Sequence, residues 1–188
     1  MGRRARSLLA APDRLRWRAL VFRARAEGGD LAVDYFIKFD GIKGESADDK
    51  HKDEIDIQSW SWGESNVGGA PHGGGAAAGK VSMQDFHFAM HMNTASVSLM
   101  KACATGQHIK DATFTGRKAG KGQQEFLTFK FRDVLISSYQ IGGADELPFD
   151  QVSFNFAKIE VEYKPQKPDG SLGPGIQFRY DLKAHKTY

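Results

Sequence analysis

Cysteine and long apolar runs are scarce in this chain of 188 residues. Cys103 is the only cysteine, so neither an intrachain disulfide nor a thiolate metal cluster can form, and we expect it to be a small buried apolar residue. No run approaches the roughly 20 apolar residues that a membrane-spanning helix needs, so we expect no membrane insertion. The length fits one domain, and the 13 phenylalanines are typical of a β-rich protein.

Lysine is missing from the first thirty residues, which hold eight arginines and three acidic residues. The other 158 residues carry 18 basic and 20 acidic groups, so the body is slightly acidic and no nucleic-acid partner is expected. Residues 1–30 could be a basic arm, a targeting peptide or sequence from an upstream start codon. The abrupt change in arginine and lysine usage favours the last. We therefore divide the chain into an extension at 1–30, disordered or extraneous, and a domain at 31–188.

Catalytic and cofactor motifs are also lacking. The segment GGAAAGK at 74–80 matches part of a phosphate-binding loop, but Val81 replaces the magnesium-binding Ser or Thr. The following VSMQDFHF alternates like a strand, whereas the motif needs a helix. His87 and His91 would lie about 13 Å apart in a strand, and the acidic cluster at 48–56 is interleaved with lysines, so a solvated loop is expected instead of a metal site. The sequence predicts no enzyme, no cofactor and no metal.

Short alternating segments after Leu31 predict successive strands. LAVDYFIKF places Val33, Tyr35, Ile37 and Phe39 on one face, and ATFTGRK with EFLTFKFR forms a hairpin. VSFNFAKIEVEY is predicted to be one long strand with a bulge between Phe156 and Ile159. One helix is predicted from a cap at 93–96 to Gly106, with Val97, Met100 and Cys103 or Ala104 along one side. The expected fold is mainly β, an antiparallel barrel or sandwich of about eight strands with one helix packed on its side.

The segment QSWSWG carries a pair of tryptophans in the alternation of a strand. Trp60 and Trp62 point to one side, and we expect that side to face the core because the rings are large and apolar. Ser59, Ser61 and Gly63 then point outward and form a small polar surface. Such a surface, backed by rigid aromatic rings, suits a lining or a packing contact.

Several segments resemble the Hcp family, the tube protein of type VI secretion systems. They are VDYFIKFDGIKGES, EIDIQSWSWG, AGKVSMQDFHF, GRKAG, QEFLTFKFRDVLISSYQIGG and VSFNFAKIEVEYKPQK, in the family's order over about residues 31–182. The resemblance implies a β-barrel with one helix, assembled as homo-hexameric rings that stack head to tail inside a contractile sheath. It implies spike and sheath partners and small effector proteins in the lumen. It also implies export from the bacterial cytoplasm through the type VI apparatus, without a cleaved signal peptide.

Residue roles follow from this resemblance. The outward face at Ser59, Ser61 and Gly63 would be the inner wall of the ring. The two long loops would contact neighbouring subunits, with these candidates: Lys43, Gly44, Glu45, Ser46, Gly68, Gly69, His72, Gly79 and Lys80. Two alternatives stay open, a solitary ligand-binding β-barrel and a nucleotide-binding protein that uses GGAAAGK.

Overall fold

The structure is a computed structural model that describes residues 33–66, 81–118, 123–143 and 147–188. In these ranges the chain forms twelve strands and one helix, more strands than expected because several are only two or three residues long. The strands are β1 Val33–Phe39, β2 Ile55–Ile57, β3 Ser59–Ser61, β4 Glu64–Asn66, β5 Val81–Met83, β6 Phe86–His91, β7 His108–Lys118, β8 Gln124–Gly143, β9 Pro148–Asn155, β10 Lys158–Tyr163, β11 Ile176–Asp181 and β12 Lys186–Thr187. The helix, α1, spans Thr94–Thr105. The mainly β fold with one helix is confirmed.

The sheet is antiparallel and is organised by the long strand β8. The first half of β8 lies between β7 and β10, and its second half pairs with β9. The path β12–β11–β10–β8–β7–β1–β2 is joined by the branch β8–β9–β6–β3. Because β2 pairs with β1 and β3 pairs with β6, the sheet curls around one core and resembles a barrel, although no ladder between the described strands closes it.

The core is built from phenylalanines that come from many strands. Phe86, Phe114, Phe131 and Phe154 are fully buried, and ring centroids about 5–6 Å apart place them in edge-on and tilted contacts. The predicted face of β1 is partly confirmed. Ile37 and Phe39 enter this core while Val33 at the strand's start is exposed.

The joint between β9 and β10 corrects the expected single bulged strand. The chain leaves one strand at Asn155 and starts another at Lys158. Phe156 and Ala157 between them are buried, and the Ala157 N–H donates to the Arg132 carbonyl at 2.9 Å. The break lets β9 pair with the second half of β8 and β10 with the first half.

Helix α1 begins and ends as predicted, but its buried side is different. The Asn93 side chain accepts from Ala95 N–H, the Asn93 N–H donates to Ser96, and Gly106 ends the helix with a left-handed φ of 64°. The buried side chains are Ala95, Ser96, Leu99 and Ala102. Val97 and Met100, which were expected to line the packed side, are exposed. The small residues Ala95, Ser96 and Ala102 let the helix approach the sheet closely. The pattern of apolar residues alone does not predict which side of the helix is buried.

Candidate functional site

A face of small polar side chains lies outside β3, β6, β9 and the second half of β8. Directly opposite residues in an antiparallel pair point to the same side of a sheet, so the register defines two rows of four. The first row is Ser61, His87, Ser153 and Ser138, and the second is Ser59, Ala89, Gln151 and Gln140. We call these eight residues the serine-rich face.

The serine-rich face is concave and nearly free of charge. All of its residues except Ser61 line an open depression of about 630 Å³, at whose edge Asp85 accepts a hydrogen bond from Ser137 at 2.5 Å. The His87 Nδ1 and Ser153 Oγ atoms are 2.6 Å apart and hydrogen-bonded. Among the residues that the structure describes, Asp85 and His87 are the only lining side chains that can carry a charge. The arrangement can offer hydrogen bonds to a polar or peptide surface.

Trp60 and Trp62 support this face from behind, as their alternation predicts. Trp60 stacks on Phe86 with ring planes 3° apart and lies 4.8 Å from the Phe114 centroid. Trp62 meets the Phe129 ring edge-on at 6.0 Å. Both indoles are partly buried and pack against the core.

The three residues expected on the inner wall lie in two different places. Ser59 and Ser61 are exposed members of the serine-rich face. Gly63 lies beyond the end of β3, where its carbonyl accepts from Gln84 N–H at 2.9 Å. A Cβ atom at Gly63 would meet the Gln84 side chain at 3.2 Å. The position of Gly63 is thus beside the paired strands β4 and β5.

Sequence analysis identified only Ser59 and Ser61 of the eight residues in the serine-rich face. In β6 the buried Phe86, Phe88 and Met90 alternate with His87 and Ala89, and this alternation is a readable signal. It shows which residues point outward from one strand, but not which strand lies next to it. The pairing of His87 with Ser61 and Ser153 therefore required the structure.

The first long loop makes several contacts with the rest of its own chain, and its predicted contacts with other subunits stay a prediction. Gly44 N–H donates to the Asp53 carbonyl at 2.8 Å, and a Cβ atom at Gly44 would overlap the Glu54 backbone. Glu45 accepts from the Thr94 N–H at 2.9 Å, at the start of α1. Ser46 is buried, so its side chain has little surface left for another subunit, whereas Lys43 is exposed.

The acidic cluster in this loop was expected to be solvated, and Asp48 corrects that view. The Arg117 guanidinium is 4% exposed and lies 2.7 Å from the Asp48 carboxylate and 3.0 Å from Asp34. Hydrogen bonding from Arg117 holds the pKa of Asp48 well below its usual range. In turn, hydrogen bonds to Asp48 and then Asp34 raise the pKa of Arg117.

A histidine fixes the same loop against the outer side of β1. The His51 ring is buried and stacks on Phe36 with centroids 4.2 Å apart and planes 9° apart. Its Nδ1 atom is hydrogen-bonded to Glu54 at 2.9 Å. Phe36 is therefore buried although it points away from the main core, since the loop covers it.

The second long loop cannot be described in the same way. Its candidates Gly68, Gly69, His72, Gly79 and Lys80 lie outside the described residues. The strand predicted directly after Lys80 is present as β5, and a phosphate-binding loop would need a helix there. His87 and His91 lie in strand β6 as predicted, and the described parts of the chain contain no group of three or more metal-ligating side chains. Within the same parts, no helix has the length and apolarity to cross a membrane.

Comparisons with known proteins agree on one family. A family model described as type VI secretion system effector, Hcp, matches residues 36–163. Protein hcp1 of Pseudomonas aeruginosa is 43% identical over 157 residues, which cover 81% of this chain and 97% of that protein. The solved structure of a type six secretion system protein is similar with a TM-score of 0.78 and 31% identity, over 84% of this chain and all of the other.

A second structure is similar along nearly its whole length. The crystal structure of Hcp1 from Salmonella typhimurium has a TM-score of 0.67 and 34% identity, and the match covers 84% of this chain and 99% of that one. A type VI secretion system effector from Yersinia pestis is 36% identical with a TM-score of 0.63, over 79% of this chain and 99% of its own. The chain therefore belongs to the Hcp family of type VI secretion tube proteins.

Proposed function

We propose that the chain is the subunit of a hexameric ring whose inner wall is the serine-rich face. The rings would stack head to tail within a contractile sheath, together with a spike. Sheath contraction would then carry the tube from the bacterial cytoplasm to the outside with small effector proteins in its lumen. The observation that carries the proposal is the concave, nearly uncharged face made of two rows of mostly short side chains, four serines and an alanine among eight residues.

The chemistry of this face suits a channel wall. Serine, alanine and glutamine side chains leave a smooth, wettable surface that does not hold a passing protein by strong charge pairs. The aromatic layer behind it, with Trp60 stacked on Phe86, keeps the wall rigid. The many hydroxyl and amide groups could still bind a folded effector through numerous weak hydrogen bonds.

The test compares two neighbouring substitutions in β3. Ser61→Gln enlarges a side chain that points into solvent. The ring should therefore still form, and its melting temperature should stay within a few degrees of the wild-type value. Retention of a co-expressed effector in purified rings should fall because the lumen is narrower. Trp60→Ala should instead cost about 3–5 kcal/mol of unfolding free energy through the cavity it leaves.

Light scattering tests whether the chain forms a ring, and a pull-down of the co-expressed effector tests which face is the inner wall. A particle of six chain masses supports the ring, and effector loss in Ser61→Gln supports the inner-wall assignment. A strongly destabilised Ser61→Gln beside a tolerated Trp60→Ala would reverse the assignment of the two faces. A wild-type chain that stayed monomeric at micromolar concentrations would contradict the ring itself.

A further inference from the structure

His87 lies in the first row of the serine-rich face and points out of the sheet. The buried Phe86 and Phe88 flank it in β6, and its cross-strand partners are Ser61 on β3 and Ser153 on β9. The His87 side chain is exposed, and its Nδ1 atom is hydrogen-bonded to the Ser153 hydroxyl at 2.6 Å. Histidine is the side chain whose charge changes most readily between pH 5 and 8. The face therefore contains a group whose charge depends on the pH.

Asp85 supplies a constant negative charge beside this histidine. It lies two residues before His87 and lines the same depression. Positions i and i+2 of an extended chain point to the same side and are about 7 Å apart. The Ser137 hydroxyl donates to the Asp85 carboxylate, which keeps the carboxylate at the edge of the face. Ordinary carboxylates stay ionised over the interval in which histidines change charge.

The elements around His87 bring no further charge to the serine-rich face among the described residues. The side chains that β3, β8 and β9 contribute to it are all uncharged: Ser59, Ser61, Ser138, Gln140, Gln151 and Ser153. Along β6, His91 is a second titratable group on the same side, about 13 Å from His87 and outside the face. On β4, Glu64 is the partner of Met83, at the end of the face where Asp85 lies, and its charge has the same sign. The face is therefore negative while His87 is neutral.

Protonation of His87 changes both the charge and the hydrogen bonding of the face. The imidazolium places a positive charge about 7 Å from the Asp85 carboxylate and offsets it. Its Nδ1 atom can then only donate, so the Ser153 oxygen accepts and the hydroxyl proton of Ser153 turns toward the depression. The face then offers more donors and less negative charge.

We propose that His87 makes cargo binding on the inner wall depend on pH and selects cargo whose contact surface is basic. A lysine or arginine of the cargo binds the Asp85 carboxylate while His87 is neutral, and it is released when His87 takes up a proton. The inference rests on the proposed function, to which it adds the charge of the cargo surface and a condition for its release. A unit charge about 7 Å away in water changes such a contact about threefold, and cargo that touches several subunits feels several of these changes.

The experiment measures the binding of two labelled peptides to purified rings of the full chain. One short peptide alternates lysine and serine, the other alternates glutamate and serine, and a rhodamine label reports binding by fluorescence anisotropy at pH 8 and 5.5 in low salt. His87→Gln retains a polar side chain but cannot ionise. His91→Gln is the matched control on the same strand. Both side chains are exposed, so both variants should melt within a few degrees of wild type. Light scattering checks that the ring is the same at both pH values.

We expect the affinity for the lysine peptide to fall at least about threefold from pH 8 to 5.5 in wild type and His91→Gln, and to stay constant in His87→Gln. The glutamate peptide should show the opposite shift, with the same dependence on His87. Asp85→Asn should weaken binding of the lysine peptide at pH 8, because it removes the constant charge that the lysine binds.

Three results would overturn this inference: wild-type rings that do not bind the lysine peptide, equal pH dependence in wild type and His87→Gln, or pH dependence that only His91→Gln removes. None of them affects the ring mass or the loss of effector in Ser61→Gln, so the proposed function would stand. A wild-type chain that forms no rings would overturn the proposed function and this inference with it.

Discussion

At the scale of single residues, the ion pair between the partly buried Asp48 and the buried Arg117 links the first loop to β7. Asp48→Asn should cost about 3 kcal/mol because the Arg117 guanidinium loses its nearest partner and keeps only Asp34. The pKa of Asp48 is lowered in the folded state, so its stabilisation is present above the unfolded value near 4 and is lost as the pH falls below it. Urea midpoints from pH 7 to 2.5 should therefore fall less steeply in Asp48→Asn. The neighbouring exposed Asp49→Asn is the control, and equal slopes in all three proteins would contradict the argument.

A second residue effect concerns Tyr139, which lies beside Asp150 and Ser96 under α1. Burial first, and then the Asp150 carboxylate, raise the pKa of Tyr139 to about 12. Because the unfolded side chain ionises near pH 10, this group's stabilisation is complete below pH 10 and disappears as the pH rises toward 12. Tyr139→Phe should flatten the decline of stability over that interval, whereas Tyr163→Phe, at an exposed site, should not. An unchanged alkaline slope in Tyr139→Phe would contradict this assignment.

At the scale of elements, the first loop holds α1 in place. Gly44 lies so close to the Glu54 backbone that Gly44→Ala must push the loop away, and Glu45 would then lose the Thr94 N–H at the helix start. We expect a loss of about 1–3 kcal/mol, against less than about 0.5 kcal/mol for the exposed Lys43→Ala. Thermal melting with helix content followed by circular dichroism measures both. A Gly44→Ala chain as stable as wild type would show that the loop adjusts without cost.

The sequence predicted the positions of the strands and the helix well, but it did not predict the contacts between them. Alternation located the strands, and Asn93 and Gly106 located both ends of α1, because these signals act between near neighbours. The stack of His51 on Phe36 and the pairing of Arg117 with Asp48 join residues 15 and 69 positions apart, and no local pattern encodes them. The prediction of which side of α1 is buried was wrong for a related reason. Ala95 and Ala102 are buried because they are small, while Val97 and Met100 were judged by apolarity alone.

At the scale of the whole molecule, the family match and the composition both separate the first thirty residues from the body. The Hcp family model begins at Phe36, and the eight arginines of residues 1–30 contrast with 15 lysines and three arginines afterwards. We predict that a chain starting at Leu31 folds and assembles like the full chain, because the family match spans residues 36–163 and the buried apolar side chains of the described core come from that span. Melting temperature and particle mass by light scattering are the measurements. Binding of the two proteins to a generic polyanion supplies a second readout, because any affinity due to the arginines should be confined to the longer chain and weaken steeply with salt. Loss of assembly on truncation would instead make residues 1–30 part of the functional subunit.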